Sequence, residues 1–292
     1  MAQVTGRGPG RYSLLQETLM RCSDISVDFR VSAPLIVCNE AHRFIVAEQA
    51  AEINIPVQPL ILEPAGRNTA PALTVAALAQ LDREEDPLLL MLPADHVVGN
   101  TADFHQALRT GVQLATDKFI VSFGIEPTQA ATGYGYIKRD RELQTTGPDS
   151  AFLVADFIEK PEPDVAEGYL RSRKYLWNSG ILMMQASVWL SAIRELQPEI
   201  YQACMTAYET GKKDDDFFRL AEQPFMDCQS NSISQSRLRD EKAYRAFRHR
   251  IKSVPYDHRT KKIPLVAQTE YAGQTCHGPQ CAGVRAAQDC TD

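Results

Sequence analysis

The sequence predicts an α/β fold, a mostly parallel sheet with helices on both faces. Three observations carry this. Short, continuously apolar runs recur at 34–38 (PLIVC), 57–63 (VQPLILE), 88–92 (LLLML) and 119–125 (FIVSFGI). Longer segments with helical patterning lie between them. Cap and turn residues (Asn39, Asn68, Pro93) mark the junctions. Apolar strands alternating with amphipathic helices suit a parallel sheet buried on both sides.

The elements follow in order. SLLQETLMR (13–21) reads as a short helix. PLIVC is a buried strand, and Asn39 then caps the helix EAHRFIVAEQAAEI. VQPLILE is the second strand. NTAPALTVAALAQL (68–81) is an alanine-rich helix with Asn68 placed as its N-cap. LLLML is the third strand, DFHQALRTGVQLA the next helix and FIVSFGI the fourth strand. In sheets of this kind ligands lie beyond the carboxyl ends of the strands.

Composition narrows the function. The 292 residues are 44% hydrophobic and 23% charged, as in an ordinary globular protein. The net charge of −6 argues against a nucleic-acid partner and suits a site that recruits a divalent cation. No apolar run approaches the roughly 20 residues that span a bilayer, so no membrane association is expected. MAQVTGRGPGR lacks the apolar core of a secretory leader. Seven cysteines show no framework spacing, which reads as a reduced, cytoplasmic chain. Cys276, Cys281 and Cys290 lack the close pairing of a zinc site.

Several residues invite chemistry. Asp95 lies three residues beyond LLLML, after a proline that stops the strand. A carboxylate there can hold Mg²⁺, which takes one or two protein carboxylates and fills its shell with water and phosphates. The plain alternative is a turn aspartate capping the next segment. Glu63-Pro64-Ala65-Gly66-Arg67-Asn68 joins a strand to a helix whose N-terminus favours anions, and Arg67 adds a rigid fork. An ordinary cap with a solvated arginine fits equally. Gly133 and Gly135 allow close approach of backbone to a ligand, or simply a turn. Glu159-Lys160 offers an acceptor for hydroxyls and a cation for phosphate, or two solvated charges at a strand end. Trp177-Asn178 offers an aromatic face and an amide, or a core tryptophan beside a turn.

Taken in order, LIVCNEAHRFIVAEQ, ILEPAGRNTAPA, LMLPADHVV, FGIEPTQAATGYGYIK, FIEKP and LWNSGILMM resemble the bacterial mannose-1-phosphate guanylyltransferases. These are sugar-1-phosphate nucleotidyltransferases of the type often fused to mannose-6-phosphate isomerase. The resemblance covers about residues 13–232. It implies a Rossmann-like fold of the nucleotide-diphospho-sugar transferase type. It implies synthesis of GDP-mannose and pyrophosphate from GTP and mannose-1-phosphate with Mg²⁺. By this analogy Asp95 holds the metal, and Glu63, Arg67 and Asn68 face the nucleotide. Gly135, Glu159 and Asn178 contact the sugar, and Lys160 meets its phosphate. Self-association into a homo-oligomer is allowed.

Both ends depart from the family pattern. No GGSGTRLWP-like loop precedes SLLQETL, so the fold is expected to lack its first strand, which lies mid-sheet in the family. Each buried backbone group left unpaired would cost about 1–3 kcal/mol, against a total stability of about 5–15 kcal/mol. No GWSDVG-like segment with a second metal-binding aspartate follows. Residues 235–292 carry a net +5 against −11 for residues 1–234. The expected organisation is a divergent segment 1–12, an incomplete nucleotidyltransferase-like domain 13–233 and a poorly ordered tail 234–292. Both ends are expected to be truncated or translated out of the ancestral frame. The alternative to an active enzyme is a catalytically inactive remnant that binds nucleotide or sugar phosphate, or pairs with an intact copy.

Overall fold

The computed structural model describes residues 11–23, 31–98, 101–145, 149–228, 251–256 and 267–268. The expectations for residues 1–10, and for most of the segment after 228, lie outside the described residues.

Helix α1 (Leu14–Ser23) begins the described chain. Strand β1 (Val37–Asn39) leads into a 3-10 turn, Glu40–His42, and then α2 (Arg43–Glu52). Asn39 caps as expected, its side chain accepting from the Ala41 amide at 2.9 Å. Strand β2 (Leu60–Glu63) precedes α3 (Thr69–Leu81), β3 (Leu88–Pro93) precedes α4 (Thr101–Thr116), and β4 (Ile120–Ile125) follows. Strands β5 (Tyr136–Leu143) and β6 (Ala151–Ile158) form an antiparallel hairpin. Then come α5 (Pro163–Ser172), β7 (Tyr175–Gln185), α6 (Ala186–Leu196) and α7 (Pro198–Glu209). The hairpin β8 (Lys212–Asp214) and β9 (Phe217–Arg219), helix α8 (Glu222–Met226), β10 (Ile251–Tyr256) and β11 (Ala267–Gln268) complete the described elements.

One sheet runs in the order β4-β10-β6-β5-β7-β3-β11-β1-β2-β9-β8. The expectation of mostly parallel pairing holds from β3 to β9. Beyond β3 the pairing is mixed: β7 runs antiparallel to β3, β4 and β5, while β10 runs parallel to β4. Alternation along each strand sends side chains to opposite faces. Val37 and Ile61 pack with α3, α6 and α7. Ile36, Cys38, Leu60 and Leu62 pack with α1, α2 and α4. The sheet is therefore covered on both faces, as the apolar strands require.

On the first face a hydrogen-bond chain fixes the helices. Trp189 Nε1 donates to Thr74 Oγ1 at 3.1 Å, and Thr74 donates to the Ala70 carbonyl at 2.7 Å. Leaving such an indole buried without an acceptor would cost about 1–3 kcal/mol.

Between β1 and β3 lies the two-residue strand β11, parallel to both. Val37 registers with Gln268, and Ala267 with Leu92. The middle of the sheet, where a slot was expected, thus receives backbone from residues 267–268. Strand β10 also comes from beyond residue 233 and inserts between β4 and β6.

Candidate active site

The parallel strands set one rim. Residues Asn39, Glu63 and Pro93 end β1, β2 and β3 at the same edge of the sheet. Strand β7 descends from that edge, and Gly124 and Ile125 of β4 register with Asn178 and Trp177. Tyr136, the first residue of β5, registers with both Trp177 and Ile158. The base of the β5–β6 hairpin therefore sits level with the end of β4.

This brings Gly135, Glu159 and Asn178 together. The Asn178 amide donates to the Gly135 carbonyl at 2.7 Å. A Cβ built on Gly135 would lie 3.1 Å from Glu159 Oε2 and 3.5 Å from the Asn178 Cβ. A side chain at this approach of three chain segments would have to displace the tip of Glu159. Lys160 follows Glu159 with φ of 38°, a left-handed conformation rare for a residue with a side chain.

The same cluster reaches the Asp95 turn. Asn178 Oδ1 accepts from the Gly180 amide at 3.1 Å. Gly180, at φ of +71°, would place a Cβ 3.5 Å from Pro93 Cγ. Asp95 stands two residues further, its side chain 39% exposed and 4.0 Å from His96 Nε2. The carboxylate is at the rim and open to solvent, not interior. Burial holds the His96 imidazole below its ordinary range, with the Asp95 carboxylate opposing and Arg21 assisting.

Across β11 and β1 lies the second group. Three strand spacings separate the ends of β3 and β2, roughly 14 Å. Glu63 is 2% exposed and registers with Asn39; burial, with the Glu63 charge added, holds the Cys38 thiol above its ordinary range. Arg67 is half-buried and donates from Nη2 to the Met226 carbonyl at the end of α8. Part of its donor set is thus used within the fold. Asn68 occupies the N-cap position, but its side chain makes no cap hydrogen bond. Its φ of 67° and ψ of −173° lie in a region almost reserved for glycine, costing about 1–3 kcal/mol. The expected side-chain cap is not formed.

Two features were not read from the sequence. Tyr134, 52% exposed, leans on Trp177 with ring centroids 5.1 Å apart. Trp177 itself is 6% exposed, the core alternative. Arg21 is 7% exposed and donates to the His96 carbonyl at 3.1 Å. It shares the buried stripe of α1 with Leu15, Thr18, Leu19 and Cys22.

Comparison with known proteins decides the family. The model of the nucleotidyl transferase family matches residues 9–223. The chain belongs to the nucleotidyl transferase family. It is 45% identical over 226 residues to mannose-1-phosphate guanylyltransferase RfbM of Salmonella typhimurium, covering 77% of this chain and 46% of that protein. It is 43% identical over 224 residues to the xanthan biosynthesis protein XanB of Xanthomonas campestris, again covering 77% and 46%. The chain therefore spans about half the length of the curated relatives it matches. Among solved structures, one described as mannose-6-phosphate isomerase from Helicobacter pylori aligns with a TM-score of 0.71 at 28% identity. That alignment covers 87% of this chain and 92% of the other. One described as mannose-1-phosphate geranyltransferase from Thermus thermophilus aligns at 0.63 and 24% identity over 83% and 64%, which bears on the fold alone. No helix among the described residues is long and apolar enough to cross a membrane.

The donor set bears on a metal. Among the described residues no three His, Cys, Asp or Glu side chains converge as a protein cage. One solvent-open carboxylate at the rim fits a hydrated Mg²⁺, which relies on substrate phosphates for much of its shell.

Proposed function

We propose that this family member transfers a guanylyl group from GTP to mannose-1-phosphate, releasing pyrophosphate and forming GDP-mannose. The observation that carries the proposal is the convergence of Gly135, Glu159 and Asn178 on the rim that bears Asp95. The similarity to named guanylyltransferases supplies the base and the sugar.

The chemistry needs no protein nucleophile. An oxygen of the sugar phosphate attacks the α-phosphorus of GTP, a new P–O bond forms, and the bond to the β-phosphate bridging oxygen breaks. The electron pair leaves with pyrophosphate. Rate enhancement comes from orientation and from neutralising charge. Asn178 and Glu159 offer a donor amide and an acceptor carboxylate to sugar hydroxyls, with Gly135 letting the ring approach. Lys160 meets the sugar phosphate. Arg67 and the backbone of the Asn68 turn face the nucleotide at the N-terminus of α3, where N–H groups favour anions. Glu63, buried at the end of β2, precedes that turn. Asp95 would hold Mg²⁺, which when bound supplies charge neutralisation between the two phosphates.

A pyrophosphate-release assay with GTP, mannose-1-phosphate and Mg²⁺ tests the reading. Turnover that Asp95→Ala abolishes is the expected result. Absence of turnover in the parent chain, with retained binding of GTP, would convert the reading to a binding remnant. Turnover unchanged in Asp95→Ala would remove its role.

A further inference from the structure

We infer that Arg21 is a positioning residue for the turn that carries Asp95. The inference rests on the role proposed above for Asp95 and extends it to α1. Asp95 and Val97 are exposed, Val97 by 58%, while only Ala94 and Val98 are buried. Pro93 rests against Gly180 at its start. Between these points the chain is held through the His96 carbonyl, which accepts from Arg21 Nη2 at 3.1 Å.

The donor is well suited to this. Arg21 lies in the last turn of α1, a helix whose Leu15, Leu19 and Cys22 are seated in the core with Leu92, Ala94 and Val98. Arg21 as a residue is 7% exposed, so little water reaches its side chain. A charge-assisted bond of this kind is about twice as strong as a neutral one. The core thereby fixes α1, α1 fixes Arg21, and Arg21 fixes the backbone beside the carboxylate. Supports that orient a metal ligand typically change metal affinity about 10–100-fold when removed. Arg21 would touch neither substrate nor metal and would act through the backbone position of Asp95.

The test compares Arg21→Gln, Arg21→Lys and Asp95→Asn with the parent full-length chain. Amide hydrogen exchange reports the order of residues 96–98. Electron paramagnetic resonance reports binding of Mn²⁺ in the presence of GTP. In Arg21→Gln, exchange at 96–98 is expected to quicken beyond any change elsewhere, with Mn²⁺ bound about 10-fold more weakly. Arg21→Lys, which keeps a charged donor, is expected to recover most of both. Exchange at 96–98 that is unaltered in Arg21→Gln, or that quickens only in step with the whole chain, would overturn the inference. So would unaltered Mn²⁺ affinity when Asp95→Asn weakens it. If Asp95→Asn leaves Mn²⁺ affinity intact, the metal role of Asp95 falls, and the exchange measurement still decides whether Arg21 orders the turn.

Discussion

The Gly135 carbonyl accepts from the Asn178 amide at 2.7 Å, so the end of one loop and the start of β7 are joined at the sheet rim. The space above that bond is narrow, since any Cβ on Gly135 would come within 3.1 Å of Glu159 Oε2.

Gly135→Ala is therefore expected to push the Glu159 carboxylate aside rather than unfold the chain. Stability should change by less than about 0.5 kcal/mol, as for most surface substitutions. Apparent affinity for mannose-1-phosphate should fall about 10-fold, equivalent to about 1.4 kcal/mol. Calorimetric titration and urea denaturation together check both halves. A large loss of stability would show that the segment cannot yield.

Gly124→Ala should behave in the opposite way. Its Cβ would stand 2.5 Å from Leu176 Cδ1 and 2.7 Å from Leu176 Cβ, and Leu176 is fully buried. Overpacking of this kind costs about 1–3 kcal/mol. The urea midpoint is expected to drop accordingly, and an unshifted midpoint would mean that β4 and β7 separate easily.

Backbone strain at two candidate site residues yields a third prediction. Asn68 and Lys160 hold positive φ of 67° and 38°. Asn68→Gly and Lys160→Gly should each raise stability by up to about 1 kcal/mol, the relief of strain being partly offset by the entropy of glycine. Affinity for nucleotide and for sugar phosphate, respectively, should fall in the same variants. Stability measured by denaturation that drops instead would show that side-chain contacts outweigh the strain.

Alkaline pH should destabilise the chain in a defined window. Burial, followed by the Glu63 charge, pushes the Cys38 thiol up from 9.0 to about 12. Burial, the 2.8 Å bond to Asp82 and that carboxylate's charge push Tyr208 up from 10.0 to about 12. Above pH 9 the unfolded chain loses these protons first, so the folded state binds more protons and stability falls as pH rises toward 12. Tyr208→Phe should make that decline shallower, as read from denaturation between about pH 9 and about pH 11. An identical slope would show that Tyr208 titrates normally.

Much of the site was legible in sequence because its residues follow strands whose apolar runs are unmistakable. Asp95 after LLLML and Glu159-Lys160 after the β6 run are fixed at strand ends by local pattern alone. Arg21 was not, since an arginine in the last turn of a helix usually meets solvent or the helix dipole. The antiparallel course of β7 was equally hidden, because an apolar strand reads the same in either direction.

By itself, then, the sequence determined β1 to β4 with the helices between them, the two covered faces of the sheet and the family. Hydrophobic periodicity and short motifs are local, and they survive without knowledge of contacts. Only the tertiary structure decided that Gly135, Glu159 and Asn178 share one corner, that Arg67 spends a donor on Met226, and that Ala267–Gln268 lies between β1 and β3. Those are pairings between segments tens to hundreds of residues apart. They depend on strand order and direction, which backbone hydrogen bonding sets and side-chain pattern does not encode.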